Sequence, residues 1–413
     1  MASPRARKIL ILSSNTGGGH RSAAAALEAG FAQFLPPQSC VVRIDNAVEE
    51  SHPLSARLVR LYNWLLRHSQ PSMKYYYWWV NRFRPDAAEF FYRRSIGHIN
   101  RLIDGWQPDV IVSVHPLVQH IPCRALRERG LAGRVPLVTV VTDPCYGFWK
   151  GWACEGVALY FVANDDARRQ LLEYGIAPER IRITGMPVHP KFSAAPSASA
   201  NAEDDTRAVR RALGLDPDTF TVLANAGAEG GGNILRIFRE LLRAQPQRIQ
   251  AVFLAGRNAK LQTQAESLAR GAGFPVKILG YSDNMEQLMR ASNVMISKLG
   301  GLTVFEAFGS GLPVIADVTT PPMPQEAGTA DLIVRHGAGV LLRSPAEIGA
   351  IVQRLCDDTA QYSALRAAAN SLATPEATRR IVEAVAALVA DGVAASSADL
   401  SAVSPAPISS PIR

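Results

Sequence analysis

Short apolar runs recur along the chain at intervals that leave room for a helix between neighbours. Lys8-Ile9-Leu10-Ile11-Leu12, Val110-Ile111-Val112-Ser113-Val114, Leu137-Val138-Thr139-Val140-Val141 and Tyr160-Phe161-Val162 occupy the first half. Thr221-Val222-Leu223-Ala224, Ala251-Val252-Phe253-Leu254, Val294-Met295-Ile296 and Val314-Ile315 occupy the second. Each is short, nearly continuous in apolar character and rich in β-branched residues, as interior strands of a parallel sheet are. Between the runs, apolar positions fall at helical spacing, as with the alanines after Arg21 followed by Leu27, Phe31 and Phe34. This alternation predicts an α/β protein with parallel sheets and crossover helices. Residues 193–206, small, polar and aperiodic, are expected to link two such domains, 1–192 and 207–390. A Ser-, Ala- and Pro-rich tail over 391–413 is expected to be disordered. Two α/β domains facing each other across a cleft form a binding site at their interface.

Composition narrows the class. At 413 residues the chain suits two domains better than one core, and with 47% hydrophobic and 19% charged residues it is globular. No stretch approaches the roughly 18 apolar residues that span a bilayer. The four apolar positions before Ser13 are too few for a signal-peptide core. Cys40, Cys123, Cys145, Cys154 and Cys356 form an odd set with no C-x-x-C pair, so no disulfide framework or zinc site is indicated and a reduced, cytoplasmic setting is expected.

The net charge of +8 is unevenly spread. Between 57 and 101 stand Arg57, Arg60, Arg67, Lys74, Arg82, Arg84, Arg93, Arg94 and Arg101, against only Asp86 and Glu89. Aromatic rings crowd the same segment, Trp78 and Trp79 among them. Rings that suit a bilayer edge, mixed with cations that attract anionic headgroups, predict membrane docking through Trp78, Trp79, Arg82, Arg84, Arg93 and Arg94. Rings in a core beside a solvated face of arginines would have the same composition. Single-stranded nucleic acid also favours rings with cations, but no nucleic-acid motif accompanies them and no such partner is expected.

Two glycine-rich turns carry the candidate chemistry. In Thr16-Gly17-Gly18-Gly19-His20-Arg21 the glycines let a ligand approach the first free N–H groups of a helix. His20 then faces the carboxyl end of the sheet, where open α/β folds bind ligands. An ordinary turn with a solvated histidine would read the same. In Ser297-Lys298-Leu299-Gly300-Gly301-Leu302-Thr303 a glycine pair after a strand opens a helix whose N–H groups and dipole suit a pyrophosphate. Glu306, about one and a half turns further on, either accepts from two ribose hydroxyls or is a helix-surface acid. Residues 321–329 are expected as a loop whose Gln325 and Glu326 suit sugar hydroxyls, and 225–232, with Gly227, as a second phosphate-seating loop. Asp165-Asp166 is expected to cap the helix through Arg168 and Leu172.

Together these segments resemble the monogalactosyldiacylglycerol synthases and the related bacterial diacylglycerol glucosyltransferases, inverting enzymes of the GT-B fold, over roughly residues 8–385. The specific matches are residues 16–21, Ser113-Val114-His115-Pro116-Leu117-Val118-Gln119-His120, Thr184-Gly185-Met186-Pro187-Val188-His189-Pro190, residues 297–303, and Gln325-Glu326-Ala327-Gly328. The His115 segment is nearer to the galactosyl enzymes. The resemblance implies that the first domain binds diacylglycerol, with Gly18, Gly19, His115 and Asp143 about the acceptor, peripherally on anionic lipids at the inner face of the cell membrane. It implies a UDP-hexose on Gly227, Tyr281, Ser297, Gly300, Gly301, Leu302, Thr303, Glu306, Gln325 and Glu326, with uracil against residues 280–284. His20 would take the acceptor proton, its imidazole already titrating near the operating pH. Helix amides would stabilise the leaving UDP, so no metal or cofactor is expected. In Thr142-Asp143-Pro144-Cys145-Tyr146-Gly147-Phe148-Trp149 the family's histidine has no counterpart, and Leu299 and Thr329 stand where a proline and an asparagine are usual. The UDP-sugar 2-epimerases and the polyprenyl-lipid glycosyltransferases share the scaffold, and a non-catalytic UDP-sugar sensor is a further alternative.

Overall fold

The computed structural model describes residues 5–68, 73–193 and 201–395. Among them, two six-stranded parallel sheets form the framework. The first contains β1 (Arg7–Leu12), β2 (Cys40–Asp45), β3 (Val110–Ser113), β4 (Leu137–Val140), β5 (Leu159–Val162) and β6 (Ile181–Ile183), in the order β2-β1-β3-β4-β5-β6. The second contains β7 (Phe220–Asn225), β8 (Ile249–Leu254), β9 (Val276–Leu279), β10 (Val294–Ser297), β11 (Val314–Asp317) and β12 (Gly339–Leu342), in the order β12-β11-β10-β7-β8-β9. The eight apolar runs of the sequence are the interior strands, buried from both faces by crossover helices. Helix Gly19–Phe34, for example, presents Ala23, Ala24, Leu27 and Phe31 to the core shared with Ile9 and Ile11.

The four strands not foreseen, β2, β6, β9 and β12, are the four sheet edges. An edge has a partner on one side only, so β2 (Cys-Val-Val-Arg-Ile-Asp) and β9 (Val-Lys-Ile-Leu) admit charges that interrupt the apolar run.

Strand order reverses between β1 and β3 in the first sheet and between β7 and β10 in the second. At such a switch point the connections leave in opposite directions and open a crevice at the carboxyl ends of the strands. Both glycine-rich turns with candidate chemistry lie at these crevices, since Gly17 follows β1 and Gly300 follows β10.

Two expected boundaries differ. From residue 201 to 206 the stretch read as linker belongs to helix Asn201–Ala212, where Arg210 donates to the Ala291 carbonyl at 2.7 Å and to Asn293 at 2.9 Å. Those anchors come from the second sheet's own loops, which local composition does not reveal. Residues 194–200 of the expected linker lie outside the described residues. Helix Ala377–Ala395, assigned with the second domain, packs on helix Gly19–Phe34 of the first. Arg7 Nη1 donates to the Ala386 carbonyl at 2.6 Å there, and a Cβ on Gly30 would lie 2.5 Å from Thr378 Cγ2. The helix also extends past the expected start of the tail, whose residues 396–413 lie outside the described residues. Among the described residues no helix is long and apolar enough to cross a membrane.

Candidate active site

The two crevices face one another across a cleft of about 460 Å³. One wall carries residues 16–20 and 142–144; the other carries the turns after β7, β9 and β10. The walls come close. A Cβ on Gly18 would lie 3.4 Å from Ala228 Cβ, while one on Gly301 would lie 2.6 Å from Pro144 Cδ and 3.0 Å from the Thr142 carbonyl oxygen. Only glycine at 301 lets the helix Gly301–Gly309 begin so near the opposite domain.

His20 is the second residue of its helix and lines the cleft. Its Nδ1 lies 2.8 Å from the Val114 carbonyl oxygen and 3.0 Å from Thr142 Oγ1. A carbonyl only accepts, so Nδ1 carries the proton in the neutral ring and Nε2 keeps its lone pair. Burial holds the pKa down at about 4, against the Val114 hydrogen bond, which raises it. The expected ordinary imidazole value is therefore corrected: enclosure between the domains penalises the imidazolium more than one carbonyl compensates.

His115 does not reach the cleft. It is 3% exposed, its Nε2 lies 2.7 Å from Thr16 Oγ1, and its Nδ1 accepts from the Leu117 N–H at 3.2 Å. The ring packs edge-on against His20, centroids 4.3 Å apart, so the residue expected at the acceptor instead supports the neighbouring imidazole. Burial and the adjacent His20 keep the His115 pKa well below its usual value. Asp143 does line the cleft and accepts from Trp152 Nε1 at 2.7 Å, with burial lifting its pKa to about 6.

The opposite wall brings together Gly227, Tyr281, Ser297, Gly300, Gly301, Leu302, Thr303, Glu306, Gln325 and Glu326. Glu306 is no helix-surface acid. It is 9% exposed, has no side-chain hydrogen bond among the described residues, and is raised by burial to a pKa of about 8, with Lys191 opposing. The Arg257 guanidinium sits 3.7 Å from the ring centroid of Tyr281. Gln325 and Glu326 occupy the first turn of helix Pro324–His336 rather than a loop, because Pro324 is preset for a helix start and Glu326 Oε2 accepts from the Met323 N–H at 3.2 Å. The cap at helix Asp165–Glu173 is also corrected: Asn164 accepts from the Ala167 N–H at 3.1 Å, while Asp166 pairs with Arg169 and Arg335.

Lys298 received no role from sequence, although it stands two positions before the glycine pair. It lines the cleft and extends towards the turn after β7, where a Cβ on Gly232 would lie 2.8 Å from its Nζ. Burial lowers its pKa, with Glu326 and Asp317 pulling the other way, and among the described residues it forms no ion pair. An ammonium with free donors beside a helix N-terminus is suited to a phosphate.

The expected docking residues divide. Trp78 is 64% exposed, whereas Trp79 packs between Phe83 and Phe91. Arg84 is held on buried Asp86 at 2.6 Å and Arg93 on Glu89 at 2.8 Å; Arg82 and Arg94 lie over the rings of Phe83 and Phe90. Two of the four charges are thus already matched by acids.

A family model for monogalactosyldiacylglycerol synthase matches residues 20–188, and one for UDP-N-acetylglucosamine 2-epimerase matches residues 157–386. Chloroplastic monogalactosyldiacylglycerol synthase 1 of Arabidopsis thaliana is 32% identical over 391 residues, covering 92% of this chain and 70% of that protein. Probable monogalactosyldiacylglycerol synthase 2 of Oryza sativa subsp. japonica is 33% identical over 401 residues, covering 92% and 80%. The chain belongs to the monogalactosyldiacylglycerol synthase family. As a member it is a UDP-sugar-dependent glycosyltransferase of glycolipid biosynthesis. The epimerase match is confined to the second half and its approach, whereas the synthases align along both domains. Among solved structures, MurG of Acinetobacter baumannii has a TM-score of 0.60 at 15% identity, covering 92% of this chain and 99% of that one. The UDP-GlcNAc 2-epimerase of Neisseria meningitidis has a TM-score of 0.60 at 13% identity, covering 92% and 100%. These likenesses establish the GT-B fold.

Proposed function

We propose that the protein transfers galactose from UDP-galactose to the free hydroxyl of 1,2-diacylglycerol at a membrane surface, inverting the anomeric carbon, with His20 as general base. One juxtaposition carries the reading: a histidine with Nδ1 tied back and Nε2 free stands on one wall of a cleft whose other wall holds a glycine-opened helix and Lys298. The acceptor oxygen attacks the anomeric carbon while its proton passes to Nε2 of His20. The bond from that carbon to the phosphate oxygen breaks, and the charge left on UDP falls to the first amides of helix Gly301–Gly309 and to the Lys298 ammonium. Bound diphosphate raises the basicity of His20 by placing negative charge near the incipient imidazolium. In this reading Glu306 holds ribose, Gln325 and Glu326 hold hexose, and residues 280–283 meet uracil. Positive charge from the chain itself makes metal-independent transfer the expectation, with activity retained in a chelator.

The membrane side of the proposal rests on exposed Leu61, Trp64, Tyr75, Trp78, Phe83 and Phe90, clustered on three helices of the first domain. Such a surface suits peripheral attachment, here to anionic lipid at the cytoplasmic face of the cell membrane. The preference for galactose rests on the family. Purified protein should be incubated with UDP-galactose or UDP-glucose and diacylglycerol vesicles, with the product's sugar and anomeric configuration read by mass spectrometry and NMR. A β-galactosyl lipid is expected. A glucosyl lipid overturns the sugar, a retained anomer overturns the mechanism, and an epimerised nucleotide sugar without lipid product overturns the acceptor.

A further inference from the structure

A second cavity lies in the first domain, enclosed by helices Ala47–Ser51, Pro53–His68, Met73–Phe83 and Glu89–Trp106 and by residues 117–122. Leu58, Val59, Trp79, Phe91, Ile99 and Ile121 make up much of its wall. Apart from the Trp79 indole N–H, the polar atoms of lining side chains are hydroxyls, and among the described residues no charged side chain lines it. Such a wall offers a nucleotide or sugar almost nothing to bond to. Left empty, it forgoes the packing that a close-fitting apolar core gains.

Two junctions tie this cavity to the catalytic cleft. Thr16, bonded to His115 behind the catalytic imidazole, lines both spaces. The ring of Tyr62, which lines the cleft, lies 5.0 Å from that of Tyr76, which lines the cavity. In the other direction, rings lead to the surface. Trp79 lies 5.9 Å from exposed Phe83, and Phe91 lies 5.3 Å from exposed Phe90. Packed aromatic rings therefore join the exposed surface to the cavity, and Thr16 stands between the cavity and the cleft that holds His20.

The geometry points to an acyl-chain site: the cavity takes one chain of the acceptor lipid, drawing the molecule partly out of the bilayer and bringing its free hydroxyl past Thr16 to His20. This rests on the lipid acceptor proposed above and specifies how that acceptor is held. The occupant is an alkyl chain because the cavity wall is uncharged, adjoins membrane-suited rings and shares Thr16 with the cleft that holds the base. Each methylene moved from water into such a site raises the binding constant roughly fourfold. Acceptor chain length, and not only membrane binding, should then govern kcat/KM.

Diacylglycerols with chains from butyryl to octanoyl, each used below its own aggregation concentration, test this without a bilayer. Wild-type kcat/KM is expected to climb by about fourfold per added methylene until the cavity is full. Ser55 lines the cavity and is half-buried, so Ser55→Trp fills space there. This variant should use the dibutyryl acceptor as the wild type does, yet lose tenfold or more on the dioctanoyl acceptor, with UDP affinity unchanged. Ser55→Leu should give a smaller loss of the same kind and serves if the tryptophan variant does not fold. A chain-length series unaltered in the folded variants, or an equal loss on every acceptor, overturns the acyl-chain site alone. Absence of wild-type transfer to any diacylglycerol overturns the acceptor reading, and the acyl-chain site falls with it.

Discussion

Replacing Glu306 by glutamine should make the protein more stable at neutral pH and worse at holding UDP. The carboxyl is 9% exposed and, among the described residues, accepts no hydrogen bond; burial raises its pKa from 4.5 to about 8. The native state therefore holds this proton more tightly than the unfolded chain does. The associated stability is fully present below pH 4.5, falls as pH rises, and is completely lost above about 8. Each pH unit in that window costs about 1.4 kcal/mol. Between pH 5 and 7.5 the wild type should thus lose about 3 kcal/mol relative to Glu306→Gln, which has nearly the same shape and never ionises. Thermal melts of both proteins at the two pH values measure this, the variant gaining on the wild type as pH rises. Calorimetry with UDP measures the other half. A hydrogen bond to a charged group is worth about 1.5–3 kcal/mol, so above about pH 8, where the carboxylate has formed, the variant should bind at least roughly tenfold more weakly. Wild-type affinity should tighten as pH rises through about 8 and the carboxylate forms. Identical pH slopes for the two proteins would refute the burial argument, and identical UDP affinities would refute the ribose assignment.

The same geometry sets the outcome of other substitutions. His20→Ala should lower turnover by roughly 100- to 10,000-fold with UDP affinity preserved; NMR titration of the free wild type should find this imidazole neutral down to about pH 4, and an ordinary value near 6.5 would contradict its enclosure. Lys298→Met should weaken UDP binding by roughly tenfold or more while leaving uridine binding unchanged, and an equal loss for uridine would remove the ammonium from the phosphates. Trp78→Ser together with Tyr75→Ser should reduce partition into liposomes to a similar degree at low and high salt, whereas Arg84→Ala should chiefly cost stability, about 1–3 kcal/mol, by leaving buried Asp86 with only His120 Nε2, 3.2 Å away, beside it; a purely salt-dependent loss in the aromatic variant would show that charge alone holds the membrane.

The interior of both sheets was legible in the residues alone, because a strand covered on both faces must be apolar throughout and is readable wherever it lies. So were the glycine-opened helices at His20 and Gly301, since backbone approach and helix initiation are local properties. What depends on partners distant along the chain emerged with the assembled fold. Edge strands such as β2 and β9 tolerate charge because their second neighbour is absent, so their pattern carries little signal. Residues 201–206 look like linker until Arg210 of the same helix finds the Ala291 carbonyl, and 324–329 look like loop until Pro324 starts a helix against the Cys145 turn. His115 and His20 lie 95 positions apart in the chain, yet their rings pack together; folding buries one behind the other and lowers both pKa values. The acid or base strength of a side chain is set by the solvent it loses and the charges it meets, and both are properties of the assembled cleft.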